Sequence, residues 1–206
     1  MLSAGSALGW DRQEIARRAE TLYGPRELGR QRLADWWHLV HQVRHLAVAD
    51  QLREVNAFFN DSLRFEDDSQ VWRRVDYWAT PVEFLYQGAG DCEDQTIAKY
   101  VTLRHLGVPM EQLRLTYVKA DGQAHMVLTY YAEPDTDPLV LDSLVTAVLP
   151  ARQRGDLQPV YAFNGAGLWY SGAAGNRWAG NSQSLSRWQD VLRKMQREGF
   201  EVDVER

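Results

Sequence analysis

Apolar positions fall into two rhythms along this chain, one in each half. Residues 11–23 and 26–59 read as helices. Within the second stretch Leu33, Trp36, Trp37, Val40, Val43, Leu46, Ala47, Leu52, Val55 and Phe59 recur at gaps of three and four. That spacing marks a helix with one buried face. Its length predicts a bend near Val48–Asp50, and Asn60 and Asp61 read as its stop. A polar loop, EDDSQVW, follows. Then comes TPVEFL, with Thr80 as N-cap, Pro81 at the first helical position and Glu83 completing a capping box. Gly88 and Gly90 break that short helix. CEDQTIAKYVTLRHLG predicts another helix from near Cys92, with Ile97, Ala98, Val101 and Leu106 as its apolar stripe and Gly107–Val108–Pro109 as its end.

Beyond residue 112 the period becomes two. LRLTYVK (113–119), HMVLTYY (125–131) and PLVLDSL (138–144) read as strands, with PVYAFN (159–164) as a fourth candidate. The Gly-rich GLWYSGAAGNRWAGN (167–181) reads as a loop or loose hairpin, and SRWQDVLRKMQREGF (186–200) as a last helix. Helices, then a buried helix, then antiparallel strands predict an α+β domain, with residues 1–206 forming a single unit. Its helical part runs over about 11–107, its sheet-rich part over about 112–165 and its last helix over about 186–200.

Composition narrows the function more than the fold. The chain has 206 residues, 45% hydrophobic and 25% charged, which is ordinary for a globular protein and enough for one sizeable core. A net charge of −5 with dispersed basic residues argues against nucleic acid as a partner. One cysteine excludes a disulfide framework and a Cys-based zinc site. No apolar run approaches the roughly 18 residues that span a bilayer. MLSAGSALGW lacks a basic n-region and a long apolar h-region, so it does not read as a signal peptide. That leaves a cytoplasmic protein or a mature form carrying a start Met. Eight tryptophans are many for this length, and those around Trp169 and Trp178 are expected to serve a contact surface.

The single cysteine sits in GAGDCEDQTIAKY (88–100), between Asp91 and the pair Glu93–Asp94. Carboxylate neighbours raise a thiol's pKa and suppress the reactive thiolate. A helix start favours it instead. His125 opens the second predicted strand and Asp142 lies near the end of the third, so an antiparallel pairing of these strands brings the two close. His125 then suits the removal of the thiol proton, Asp142 the orientation of the imidazole, and the Cys92 backbone N–H an oxyanion. Each residue also has a plain reading: a buried cysteine, a structural histidine, a turn aspartate, and acids that merely favour a helix N-terminus.

The stretches WATPVEFL, GAGDCEDQTIAKY, LGVPMEQLRLTYVKA, QAHMVLTYY, PLVLDSL, DLQPVYAFNGAGLW and LSRWQDVLRKM, in order from about residue 72 to 200, resemble the bacterial transglutaminase-like cysteine protease family. The ordinary transglutaminase signature has an aromatic after the cysteine; here Glu93 stands there. The resemblance implies a papain/transglutaminase-like fold, a cysteine endopeptidase, and the triad Cys92, His125 and Asp142. It implies Ca²⁺ bound by Asp91, Glu93 and Asp94, with Asp121 as a weaker candidate ligand. It also implies a periplasmic location, cleavage of a large surface adhesin beside a pair of alanines that promotes biofilm dispersal, and control by the periplasmic domain of an inner-membrane cyclic di-GMP receptor. Two rivals remain: acyl transfer by a transglutaminase or amidase using the same triad, and a non-enzymatic binding module. The intact Cys, His and Asp argue against the latter.

Overall fold

The computed structural model describes residues 10–134, 136–172 and 175–202. Most of the N-terminal decapeptide read for a signal sequence therefore lies outside the described residues. Asp11 starts α1 (Arg12–Tyr23) by accepting the backbone N–H groups of Gln13 and Glu14. The long helix expected over 26–59 is two helices, α2 (Glu27–Val43) and α3 (Val48–Ser62). Both bury a face in one core, so the apolar rhythm runs through the break unchanged. Ala47 is extended there, and the Gln51 side chain bonds the Val43 carbonyl across the gap at 3.2 Å.

Asn60 and Asp61 do not stop α3, which ends at Ser62. The segment expected as a plain polar loop holds α4 (Asp68–Val71), preceded by β1 (Arg64–Phe65). The capping box at α5 (Pro81–Gln87) is present: Thr80 Oγ1 accepts Glu83 N–H at 3.0 Å, and Glu83 accepts Thr80 N–H at 2.9 Å. Gly88 ends that helix in the left-handed region at φ 76°. β2 (Ala89–Gly90) pairs in parallel with β1 and leads into α6 (Cys92–His105).

α6 is buried along nearly its whole length, polar residues included. Thr96 donates to the Met126 carbonyl at 3.1 Å, Thr102 accepts from Trp36 at 2.8 Å, and Lys99 donates to Asn60 at 2.7 Å. Buried polar groups survive where each finds such a partner. The remaining elements are β3 (Leu113–Ala120), β4 (Gln123–Tyr130), β5 (Leu139–Leu141), β6 (Leu149–Pro150), β7 (Leu157–Phe163), β8 (Leu168–Gly172), β9 (Gly175–Gly180) and α7 (Ser186–Glu198). Among the described residues they form a seven-stranded sheet in the order β6-β5-β4-β3-β7-β8-β9. All its pairings are antiparallel. Leu115, Met126, Leu128, Leu141 and Phe163 join Ile97 and Val101 of α6 in the main core, while Val118, Val127 and Val140 form a smaller apolar group. The α+β arrangement of helices packed on an antiparallel sheet is the one the periodicity predicts.

One strand ends earlier than expected, and one glycine-rich stretch takes the second of its two readings. The strand read over 138–144 stops at Leu141, because the Asp142 carboxylate accepts Leu144 N–H at 3.0 Å and folds an Asx turn. The stretch read as loop or loose hairpin is the hairpin β8–β9, with Trp169 opposite Trp178. Their rings meet edge to face at 5.4 Å, and Trp178 is 56% exposed.

α7 is pinned by buried charge. Lys194 reaches the Glu83 carboxylate at 2.8 Å and the Trp78 carbonyl at 2.7 Å. Glu198 accepts the hydroxyls of Thr80 and Tyr23, each at 2.5 Å. Burial pushes the Glu198 carboxyl up to about 8; those two hydroxyls act against the rise, and Glu83 adds to it. A raised folded-state pKa means stability present below the ordinary value of 4.5 and lost as pH climbs through about 8. The melting temperature of the unmodified protein should therefore fall relative to Glu198→Gln between about pH 5 and pH 9. Parallel melting curves for the two proteins over that range would show that Glu198 ionises like an exposed acid.

Candidate active site

Cys92 is the first residue of α6, and Asp91 caps that helix by accepting Glu93 N–H at 3.2 Å. Strand β2 delivers the chain there in a tight fit. A Cβ on Gly90 would stand 2.3 Å from Asp94 Oδ2 and 2.9 Å from the Phe84 ring, so only glycine lets the backbone pass. His125 lies in β4 opposite Val118, and Asp142 follows directly after β5, the next strand in the sheet. Leu128 pairs with Leu141, so the antiparallel register carries the start of β4 toward the end of β5.

His125 Nε2 and Asp142 Oδ1 are 2.7 Å apart, both buried. Asp142 Oδ1 also accepts Leu144 N–H, and Oδ2 takes the Arg154 guanidinium at 2.6 Å. Burial alone would raise this carboxyl. The bonds from His125, Leu144 and Arg154 outweigh it and hold the group at about 2. An ionised Asp142 can only accept, so Nε2 carries the proton and Nδ1 is the basic nitrogen left over. Asn60 donates to the Asp142 carbonyl at 2.8 Å and is itself held by Lys99 of α6. Thus α3 and α6 fix the backbone of Asp142 while Arg154 fixes its side chain. Sequence reading missed Arg154, since nothing local distinguishes this buried arginine from the exposed ones.

Cys92 and His125 line one open groove of about 750 Å³, with Tyr117, Asp121 and Leu144 along it. The thiol donates to Glu93 Oε2 at 2.8 Å. Burial, and then the Glu93 and Asp91 carboxylates, push the thiol pKa well up. That is the suppression the sequence foreshadows, so a working nucleophile here requires a compensating positive charge.

Two groups of possible ligand atoms share Asp91, and within each the atoms lie within 4.8 Å of one another. One is Asp91, Cys92 and Glu93; the other is Asp68, Asp91 and Asp94. Asp94 accepts Ala79 N–H at 2.6 Å and Trp72 Nε1–H at 3.1 Å. Asp68 accepts Tyr77 N–H through Oδ2, while its Oδ1 is buried and meets no donor. Burial comes first, and then repulsion from Asp91 on Asp68 and Asp94 and from Glu93 on Asp91; together they push Asp68 and Asp91 up to about 7 and Asp94 well above the usual carboxylate range. Three crowded carboxylates, Asp68 and Asp94 buried and Asp91 half-buried, one with an unsatisfied oxygen, are a donor set that suits a hard cation such as Ca²⁺. Of the expected ligands, Asp91 and Asp94 stand in this group, and Glu93 stands with the thiol. Asp121 occupies the β3–β4 turn at φ 49°, on the groove but in neither group. Asp68 went unrecognised because it lies 23 residues before Asp91 and only folding brings it there.

Comparison with known proteins places this geometry in context. The family of bacterial transglutaminase-like cysteine proteinases (BTLCP) matches residues 38–156, a span that includes Cys92, His125 and Asp142. Legionella pneumophila LapG is 40% identical with a TM-score of 0.78, over 92% of this chain and 99% of its own. A calcium-bound structure of LapG superposes with a TM-score of 0.76, at 40% identity over 90% of this chain and 99% of that one. An EGTA-treated structure reaches 0.79, at 40% identity over 92% and 100%. No curated protein sequence matches the chain.

Proposed function

Since the chain belongs to the bacterial transglutaminase-like cysteine proteinases, we propose that it works as a calcium-dependent endopeptidase with Cys92 as nucleophile and His125 and Asp142 as its base and orienting acid. The observation that carries this reading is the chain Arg154–Asp142–His125 ending on the groove that holds Cys92. His125 Nδ1 takes the thiol proton, and the sulfur attacks a substrate carbonyl. Asp142 keeps the imidazole in the tautomer that leaves Nδ1 free and stabilises the imidazolium that forms. The N-terminus of α6 supplies backbone N–H groups and a positive dipole end toward the developing oxyanion. The imidazolium then protonates the leaving amine, and water hydrolyses the thioester with His125 again as base.

Asp68, Asp91 and Asp94 are the residues that would hold Ca²⁺, which would cancel their charge beside the thiol and brace the start of α6. LapG having both calcium-bound and EGTA-treated structures supports the same ion here. The substrate in this reading is the N-terminal region of a large surface adhesin, cut beside two alanines in the periplasm so that the adhesin is released and the biofilm disperses. The regulator is the periplasmic domain of an inner-membrane cyclic di-GMP receptor. Among the described residues, no helix is long and apolar enough to cross a membrane.

One experiment separates this from acyl transfer. The protein with Ca²⁺ is incubated with an adhesin fragment containing the di-alanine site, and in parallel with a glutamine peptide plus a primary amine. Cleavage of the fragment, blocked by the purified receptor domain, is expected. Amide exchange on glutamine without cleavage of the fragment would overturn the protease reading.

A further inference from the structure

Tyr117, on the wall of the groove holding Cys92, begins a register of aromatic residues across the sheet. Tyr117 of β3 stands opposite Tyr161 of β7, Tyr161 opposite Tyr170 of β8, and Tyr170 opposite Arg177 of β9. Residues in direct register on neighbouring strands share one face of a sheet, so the three phenol rings form a row leading out of the groove. The Tyr117 and Tyr161 rings are stacked, with centroids 5.1 Å apart and planes 7° from parallel. Tyr161 rests on Phe163 of the core at 6.4 Å, which makes the row a supported surface rather than a set of loose side chains. Tyr170, at its far end, is 52% exposed. No described residue takes up any of the three tyrosine hydroxyls in a hydrogen bond.

We infer that this tyrosine row is a track for an extended segment of the protein substrate, running from the cleavage site across the sheet. The inference rests on the endopeptidase reading and adds where the chain beyond the scissile bond is gripped. The commitment to substrate follows from continuity: Tyr117 belongs to the wall of the thiol groove. Strands lie about 4.8 Å apart and an extended chain advances about 3.3 Å per residue. The row from Tyr117 to Tyr170 therefore spans about 10 Å, or roughly three substrate residues. Phenol rings offer flat apolar area at low entropic cost, and their hydroxyls can bond a peptide backbone whatever its side chains. The segment recognised is accordingly an unfolded, extended stretch gripped mainly through its backbone, lying a few residues from the cut.

The test uses two synthetic peptides built around a di-alanine pair, one with six flanking residues on each side and one with two. Their binding to a Cys92→Ala protein is measured by calorimetry, so the result does not depend on turnover. In that background Tyr161→Ala and Tyr170→Ala should each weaken the long peptide by about tenfold, the scale of losing an aromatic anchor. Neither should change affinity for the short peptide, and Tyr161→Phe should retain most of the affinity. Tyr170, half exposed, keeps the test independent of any folding defect in Tyr161→Ala. Equal affinity of all variants for the long peptide, or no binding of it at all, overturns the track. So does a loss confined to binding of the receptor domain. A protein that binds the long peptide through these tyrosines yet never cleaves it would leave the track standing and fail the endopeptidase reading instead.

Discussion

A Cys92→Ala protein is expected to fold and to lose cleavage by about six orders of magnitude, the scale of removing the nucleophile from an enzyme whose triad acts as a unit. The loss follows from chemistry alone, since a methyl group forms no thioester. The fold should survive because the thiol makes one side-chain bond, to Glu93, and otherwise packs as a small apolar group. His125→Ala should be equally inactive. Asp142→Asn should cost about 10⁴, because an amide in place of the carboxylate admits the wrong imidazole tautomer. Arg154→Met should cost less, roughly tenfold to a hundredfold, as when support behind a working side chain is removed. That loss should fall on kcat rather than KM, because Arg154 touches Asp142 and Asp156 rather than the groove. Cleavage near the unmodified rate by folded Cys92→Ala would end the assignment of the nucleophile. An Arg154→Met protein with unchanged kcat would show that Leu144 and His125 hold Asp142 unaided.

Chelation should have the next largest effect. EGTA is expected to stop cleavage and to lower the melting temperature, and added Ca²⁺ to restore both. An ion bound only by the native state adds about 2.7 kcal/mol at a hundredfold excess over its dissociation constant. For a chain of this size that corresponds to roughly 5–10 °C. The carboxyls give the pH dependence its sign. Asp68 and Asp91 are raised from 3.8 to about 7, by burial first and then by neighbouring acids. In EGTA their contribution to stability is present below 3.8 and is lost as pH rises through about 7. Ca²⁺ binds the ionised forms, so saturating ion should abolish that decline. Mg²⁺ should substitute poorly, since it demands near-octahedral geometry and dehydrates reluctantly. Asp68→Asn keeps an acceptor for Tyr77 N–H but removes a ligand charge, so it should resemble EGTA treatment even in excess Ca²⁺. If melting and cleavage ignore EGTA and calorimetry detects no Ca²⁺, the acids serve only the start of α6.

The amino-acid sequence by itself determined the features that depend on near neighbours. The capping box at Thr80 and Glu83 is local chemistry, and so is the helix start at Cys92 beneath an Asp91 cap. The change of period after residue 112 located β3 and β4 within a residue or two. The motif around Cys92, with His125 and Asp142 downstream, pointed to the family that the comparisons then showed. Tertiary structure decided what depends on distant partners. The length of the apolar stretch called for a bend near Val48–Asp50, but a full break at Arg44–Ala47 was hidden because both helices bury residues in the same core, which leaves the apolar rhythm intact. The β8–β9 hairpin was obscured by its glycines, which carry no side chain to show alternation. Asp68 enters the carboxylate group only because β1 pairs with β2 and carries α4 alongside the start of α6. Glu93 and Asp94 are adjacent in the chain yet serve different groups, because successive residues of a helix point in directions about 100° apart. Arg154 meets Asp142 across a sequence separation of 12 in a buried ion pair, a match of position and charge that no local pattern encodes.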